Sequence, residues 1–305
     1  MTVPTPTPRT QTTLVTGATG DVGGALVDRL VELGAPFTVM CRRQDQLDAF
    51  AARGIHGVHG DFADPATLRS ALQGCDQLFL LPPPGTQQFT RDRDAIDAAV
   101  AAGVRHVVKV STADANPESA IPWARDHARA DAHLESSSLA WTRLQPAAFM
   151  RNLLLEAPAI RRGFLPQTSG HGATAWIDAP DIAAAAARVL TDSSRQGGTG
   201  SAGRSYILTG TPATSYPQIA EMMTDLLGRR VRYLHAPAPF MYLILRLSGT
   251  PNWEARGLIR QFVDVVRRGH DNGRLTTDDL AELIERAPTS LPTFISAHRD
   301  QLLGT

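Results

Sequence analysis

The chain has 305 residues, 43% of them hydrophobic, with 30 basic and 30 acidic side chains, so it can bury a large core and carries no net field that would favour nucleic acid. No apolar run approaches the roughly 18 residues needed to cross a bilayer, and residues 1–11, rich in Thr and Pro, read as a disordered leader without the apolar centre of a signal peptide. A cytoplasmic protein with no membrane and no nucleic-acid partner is expected, and the two cysteines, Cys41 and Cys75, are too few for a disulfide framework or a thiolate metal site.

The elements follow in order. Thr12 to Thr16 is a β-branched strand that ends at glycines, and Asp21 to Leu33 carries Val22, Ala25, Leu26, Leu30 and Leu33 at helical spacing. Pro36 to Cys41 makes a second strand, Asp45 to Arg53 a helix, and Gly57 to His59 a short third strand. Asp64 and Pro65 open the next helix as cap and first residue, with Gly74 beyond its end. Gln77 to Leu81, Val104 to Val110 and Trp141 to Leu144 read as strands, separated by the helices Gln87–Ala102 and Trp123–Ser136. This alternation predicts an α/β class: a doubly wound, parallel-sheet Rossmann fold.

Beyond Pro146 the pattern loosens. Asn152 to Arg162 is expected to be helical, Gly163 to Ala173 a loop, Ala175 to Ile177 a strand, Asp181 to Leu190 a helix, and 193–204 a mobile Gly/Ser loop. Tyr206 to Thr209 reads as a strand, Tyr216 to Leu227 as a helix, and the remainder as mainly helical. The expected division is a dinucleotide-binding domain over 12–150, with 174–210 returning to its sheet, and a smaller, mainly helical C-terminal lobe over 151–173 and 211–305.

The strongest motif is Gly17-Ala18-Thr19-Gly20-Asp21-Val22-Gly23, set between a strand and a helix. Glycines there let the backbone turn tightly and approach a pyrophosphate, and the helix start offers unpaired amides to the anion. The motif alone is weak, but its strand-turn-helix context is the one dinucleotide binding requires. The second strand runs into Arg42 and Arg43 with no acid before Asp45, which favours NADP(H) over NAD(H): Arg42 is placed to pair with a 2′-phosphate and Arg43 to stack on adenine. Solvated arginines at a strand end are the plainer reading. Asp61 and Phe62 are expected near the adenine.

The glycine turn, Gly60-Asp61-Phe62-Ala63-Asp64, Leu80-Leu81-Pro82-Pro83, Val110-Ser111-Thr112, Trp141 to Pro146 followed by Phe149-Met150-Arg151-Asn152, Trp176-Ile177-Asp178 and Tyr206 to Gly210 together resemble the NmrA-like group of atypical short-chain dehydrogenase/reductases. The resemblance covers about residues 12 to 230. It implies that the turn residues Gly17, Thr19, Gly20, Asp21, Val22 and Gly23, with Leu81, Pro82, Pro83, Ser111, His127, Pro146 and Phe149, meet the cofactor. It also implies either an NAD(P)H-dependent quinone-type reductase or a regulator that binds dinucleotide without turnover.

The Tyr-x-x-x-Lys pair of the wider superfamily is absent: the matching stretch is Trp123-Ala124-Arg125-Asp126-His127, and the first tyrosine is Tyr206. An indole N–H is no acid near neutral pH. His127 is then the expected proton donor or ribose-fixing residue, Ser111 a second catalytic candidate, and Lys109, the only lysine, a structural residue within its strand. Trp123, Met150, Asn152, Trp176, Phe240 and Tyr242 are expected to line a pocket for a hydrophobic, aromatic small molecule accepting hydride as a quinone, activated alkene or carbonyl. The competing reading is a non-catalytic NADP(H) sensor acting on a regulatory protein partner; a homodimer is left open.

Overall fold

Short runs of β-branched and apolar residues form six parallel strands, β1 (Thr13–Val15), β2 (Phe37–Cys41), β3 (Gly57–His59), β4 (Gln77–Leu80), β5 (His106–Val110) and β6 (Ala140–Pro146). The computed structural model describes residues 12–199, 202–210, 212–269 and 275–304; the expected leader 1–11 and two residues of the 193–204 loop lie outside them. The strand Arg204–Leu208 adds in parallel to β6, giving a seven-stranded sheet in the order 204–208, β6, β5, β4, β1, β2, β3.

Consecutive strands are joined by α1 (Asp21–Glu32), α2 (Gln44–Ala51), α3 (Pro65–Ala71), α4 (Gln88–Ala102) and α5 (Pro122–Glu135). Strand order reverses between β1 and β4, the switch point of a doubly wound sheet, and side-chain alternation sorts the core into two layers. Val15, Val39, Phe79 and Val108 face α1 and the helix Ala179–Thr191, whereas Leu14, Met40, Leu78 and Val107 face α3 and α4. Cys41 and Cys75 are free and buried.

A third apolar cluster holds the C-terminal part together, with Met150, Leu153, Ile160, Trp176, Ile219, Met223 and Phe294. Two local expectations fail there. Residues 152–162 are not one helix: Met150–Glu156 winds as a 3₁₀ turn and Ala157–Ile160 as a single α turn, because Pro158 lacks the N–H a continuous helix needs. The glycine-rich stretch 163–173 is not all loop, since Phe164–Gln167 pairs in parallel with Arg232–His235, a strand too short and too far along the chain to show as a pattern. The helices Ala238–Leu247 and Asn252–Arg260 follow, the second widening into a π-helical segment over Gln261–Arg267. Among the described residues no helix is long and apolar enough to cross a membrane.

Candidate functional site

The carboxyl ends of β1, β4 and β5 build the site. At β1, Thr16 accepts the Leu81 N–H at 2.9 Å and donates to the Phe79 carbonyl at 2.8 Å, locking the turn to the end of β4. Gly17 has φ +68°, and a Cβ there would lie 2.8 Å from the Leu81 carbonyl oxygen. A Cβ on Gly23 would lie 2.1 Å from the Gly17 oxygen, so helix and turn meet at a separation only glycine permits. Gly20 caps α1 without a side chain, and the amides of Asp21, Val22 and Gly23 precede the first intrahelical donor, the Gly24 N–H, which bonds the Gly20 carbonyl at 2.7 Å. This cradle fits a diphosphate.

Arg42 is exposed and has no ion-pair or hydrogen-bond partner among the described residues, whereas Arg43 is held by both oxygens of Asp45 at 2.9 and 2.7 Å. Arg151 reaches across from the C-terminal part to pair with Asp21 at the head of α1. Asp61 lies half-buried after β3, its carboxylate accepting from the Ala63 amide at 2.9 Å. Phe62, expected beside the adenine, is instead a core side chain packed with the Leu14 and Met40 layer. Leu81 and Pro82 are largely covered beside the glycine turn, and Pro83 is exposed.

At β5 the interior becomes polar. Lys109 is completely buried, and its ammonium lies 3.0 Å from Asp131 Oδ1 and 3.2 Å from His127 Nδ1. His127 and Asp131 stand one turn apart on α5, so both face β5. The second oxygen of Asp131 accepts from Ser111 Oγ at 2.6 Å, and Asp92, buried on α4, accepts from Gln88 at 2.8 Å. Burial raises the Asp92 carboxyl to about 6, with Lys109 opposing the rise.

His127 departs from expectation. Burial, reinforced by the Lys109 charge and opposed by Asp131, pushes its pKa down to about 3, so the ring is neutral at working pH and cannot act as an imidazolium acid. Because an ammonium can only donate, Nδ1 accepts and the ring hydrogen sits on Nε2. Lys109, read from the sequence as a structural strand residue, thus fixes the tautomer of this histidine and adds to the effect of burial. The available signal was a lone lysine beside Ser111 with His127 and Asp131 at i, i+4 spacing.

Next to this cluster opens a cavity of about 440 Å³. It brings together Ser111, Trp123, His127, Pro146, Phe149, Asn152 and Trp176 from the expected set, and adds Tyr216, Trp253 and Gln261. Trp123 Nε1 donates to Gln261 at 3.3 Å, and a Cβ on Gly257 would strike the Trp123 ring at 2.4 Å, so Asn252–Arg260 lies flat on the indole. Burial, with Glu156 beside it, holds the Tyr216 hydroxyl well above the ordinary phenol pKa, so it stays protonated. Three expected pocket residues do not line the cavity. Met150 is sealed in the third apolar cluster, Tyr242 donates to Asn252 at 2.8 Å, and Phe240 points outward, 55% exposed. Helical position decided these, and the sequence pattern of the tail did not reveal it.

Comparison with known proteins shows the family and the fold. Residues 17–193 match the family model described as NAD(P)H-binding. The chain is 36% identical to NAD(P)H azoreductase of Xenophilus azovorans over 222 residues, 72% of this chain and 76% of that one. It is 30% identical to quinone oxidoreductase 2 of Escherichia coli over 286 residues, 92% and 96% of the two chains. A crystal structure of the E. coli NADPH-dependent quinone oxidoreductase with NADPH superposes with TM-score 0.82 at 29% identity, covering 94% of this chain and 99% of that one. Triphenylmethane reductase of Citrobacter sp. with NADP(H) has the same fold, at TM-score 0.82 and 22% identity over 94% of this chain and 99% of that one.

Proposed function

The chain belongs to the NAD(P)H-binding family, in the NmrA-like branch of the atypical short-chain dehydrogenase/reductases, and from that premise we propose that this oxidoreductase uses NADPH to reduce a flat, apolar acceptor of the quinone, activated-alkene or carbonyl type. The observation that carries the reading is one sheet edge holding both an anion cradle with an unpaired arginine and an aromatic-lined cavity of about 440 Å³. Two relatives are named for azo and quinone reduction, acceptors that are conjugated and need little acid assistance.

The amides of Asp21, Val22 and Gly23 would hold the diphosphate, and Arg42 the 2′-phosphate that separates NADPH from NADH. NADPH supplies hydride to the acceptor. Ser111 spends its hydrogen on Asp131, so its lone pairs remain to accept from a ligand hydroxyl. His127, kept neutral with Nε2 protonated, would donate a hydrogen bond to the acceptor oxygen as negative charge grows there, without releasing its proton; bulk water protonates the reduced anion as it leaves the cavity. Trp123, Phe149, Trp176 and Trp253 would stack on the acceptor and exclude solvent.

Steady-state oxidation of NADPH with water-soluble quinones tests the proposal. Turnover with NADPH preferred over NADH is expected. Tight cofactor binding with no turnover across quinones, azo compounds and activated alkenes would sink the catalytic reading.

A further inference from the structure

The neutral total charge hides an asymmetry. Residues 229–268 contain eight arginines, at 229, 230, 232, 246, 256, 260, 267 and 268, against two acids, Glu254 and Asp264. Arg230, Arg232 and Arg256 are exposed and have no ion-pair or hydrogen-bond partner among the described residues.

The same region carries an apolar face that none of the described residues covers. The helix Ala238–Leu247 presents Phe240, Leu243, Ile244 and Leu247 at i, i+3, i+4 and i+7, with exposures from 40% to 79%. Its other side, with Met241 and Leu245, turns toward Asn252–Arg260, so one apolar side of the helix is packed and the other is not. Arg246 flanks the outer face. On the neighbouring strand Arg232 and Leu234 share one side by period-two alternation, and Arg232 stands opposite the exposed Phe164. Isolated exposed leucines need no explanation, but four exposed apolar side chains on one helix face, in a segment that also holds three exposed arginines without a partner among the described residues, do.

We propose that this face attaches the protein peripherally to an anionic lipid surface, with the helix lying in the interface and the arginines meeting the headgroups. Lipid is favoured over a second copy because a twofold-related copy would set these like charges against one another. The position also has a consequence that rests on the reductase reading: Asn252–Arg260, which carries the docking helix, lines the cavity with Trp253 and Leu258, so an acceptor dissolved in lipid would be drawn from the surface on which the protein sits.

Co-sedimentation of the full chain with vesicles of phosphatidylcholine, alone or mixed with phosphatidylglycerol, tests attachment apart from turnover. Binding to the anionic vesicles alone is expected, weakened by salt, about five-fold weaker for each of Arg230, Arg232 and Arg256 replaced by Gln and at least about ten-fold weaker in Leu243→Glu/Leu247→Glu. That double variant should retain wild-type NADPH affinity and wild-type turnover of a water-soluble quinone, while losing turnover of a quinone held in the vesicles. Failure to bind anionic vesicles in low salt, or equal binding to both vesicle types, overturns the proposal. A dimer in analytical ultracentrifugation that the double variant dissociates, without vesicle binding, overturns it in favour of a second copy. Vesicle binding without any quinone reduction leaves attachment standing and removes the reductase reading.

Discussion

The proposed preference for NADPH rests on one arginine, and the electrostatics of the cavity on one lysine. Arg42 is unpaired while Arg43 is spent on Asp45, so only the first is free to meet a 2′-phosphate. Arg42→Ala should weaken NADPH about 10- to 100-fold, the value of one charge-assisted pair, and leave NADH unchanged, as measured by calorimetry. Lys109 is opposed by buried Asp131 and Asp92. Lys109→Met should lower unfolding free energy in urea by about 3–5 kcal/mol, because it strands those carboxylates, and Lys109→Arg should lose less. His106 gives a separable pH signature. Burial alone pushes it down from 6.5 to about 4; its Nε2 lies 3.0 Å from Thr142 Oγ1 and its Nδ1 has no hydrogen-bond partner among the described residues. As pH falls, the unfolded chain takes up this proton near 6.5 and the folded chain only near 4, so stability fully present above 6.5 is lost across that interval. Its size is about 3 kcal/mol at roughly 1.4 kcal/mol per pH unit. Asp92 and Glu156, raised by burial to about 6 and about 7, act in the opposite sense over much of the same range, so the measurement is the difference between wild type and His106→Asn, which should grow with falling acidity.

At the level of elements, the strand-turn-helix unit from β1 to α1 works because its closest approaches are all to glycine. Gly23→Ala would drive a methyl group to 2.1 Å from the Gly17 oxygen and part the helix from the turn. Both nicotinamide coenzymes should then lose at least about 100-fold in affinity, with a stability cost of about 1–3 kcal/mol seen in thermal unfolding. A loss confined to NADPH would contradict this account. This unit was fully legible beforehand, since periodicity and turn chemistry are local. The strand pair Phe164–Gln167 and Arg232–His235 was not, because its partners lie more than 60 residues apart and four residues are too few to establish an alternation.

The whole molecule is tied together by polar latches as well as by the four apolar clusters of its described residues. Asp181, completely buried on the helix Ala179–Thr191, accepts from Arg286 at 2.5 Å and from the Thr289 amide at 2.7 Å, fastening the last helices to the sheet. Asp181→Ala leaves that amide unpaired and should cost about 2–4 kcal/mol, with hydrogen exchange rising over 279–304 before it rises in the sheet. Protection lost evenly across the chain would argue against a latch of this kind.

The sequence by itself determined the order of strands and helices as far as β6, the glycine turn, the pair of arginines after β2 and the absence of a Tyr-x-x-x-Lys motif, because each rests on residues close together in the chain. Only the tertiary structure decided that burial keeps His127 neutral with Lys109 reinforcing it, that Phe62 and Met150 belong to the core, and that Phe240 faces outward. Those outcomes depend on burial and on charges brought together from β5, α4 and α5, and both desolvation and Coulomb energy are functions of distance in space, which position along the chain does not specify.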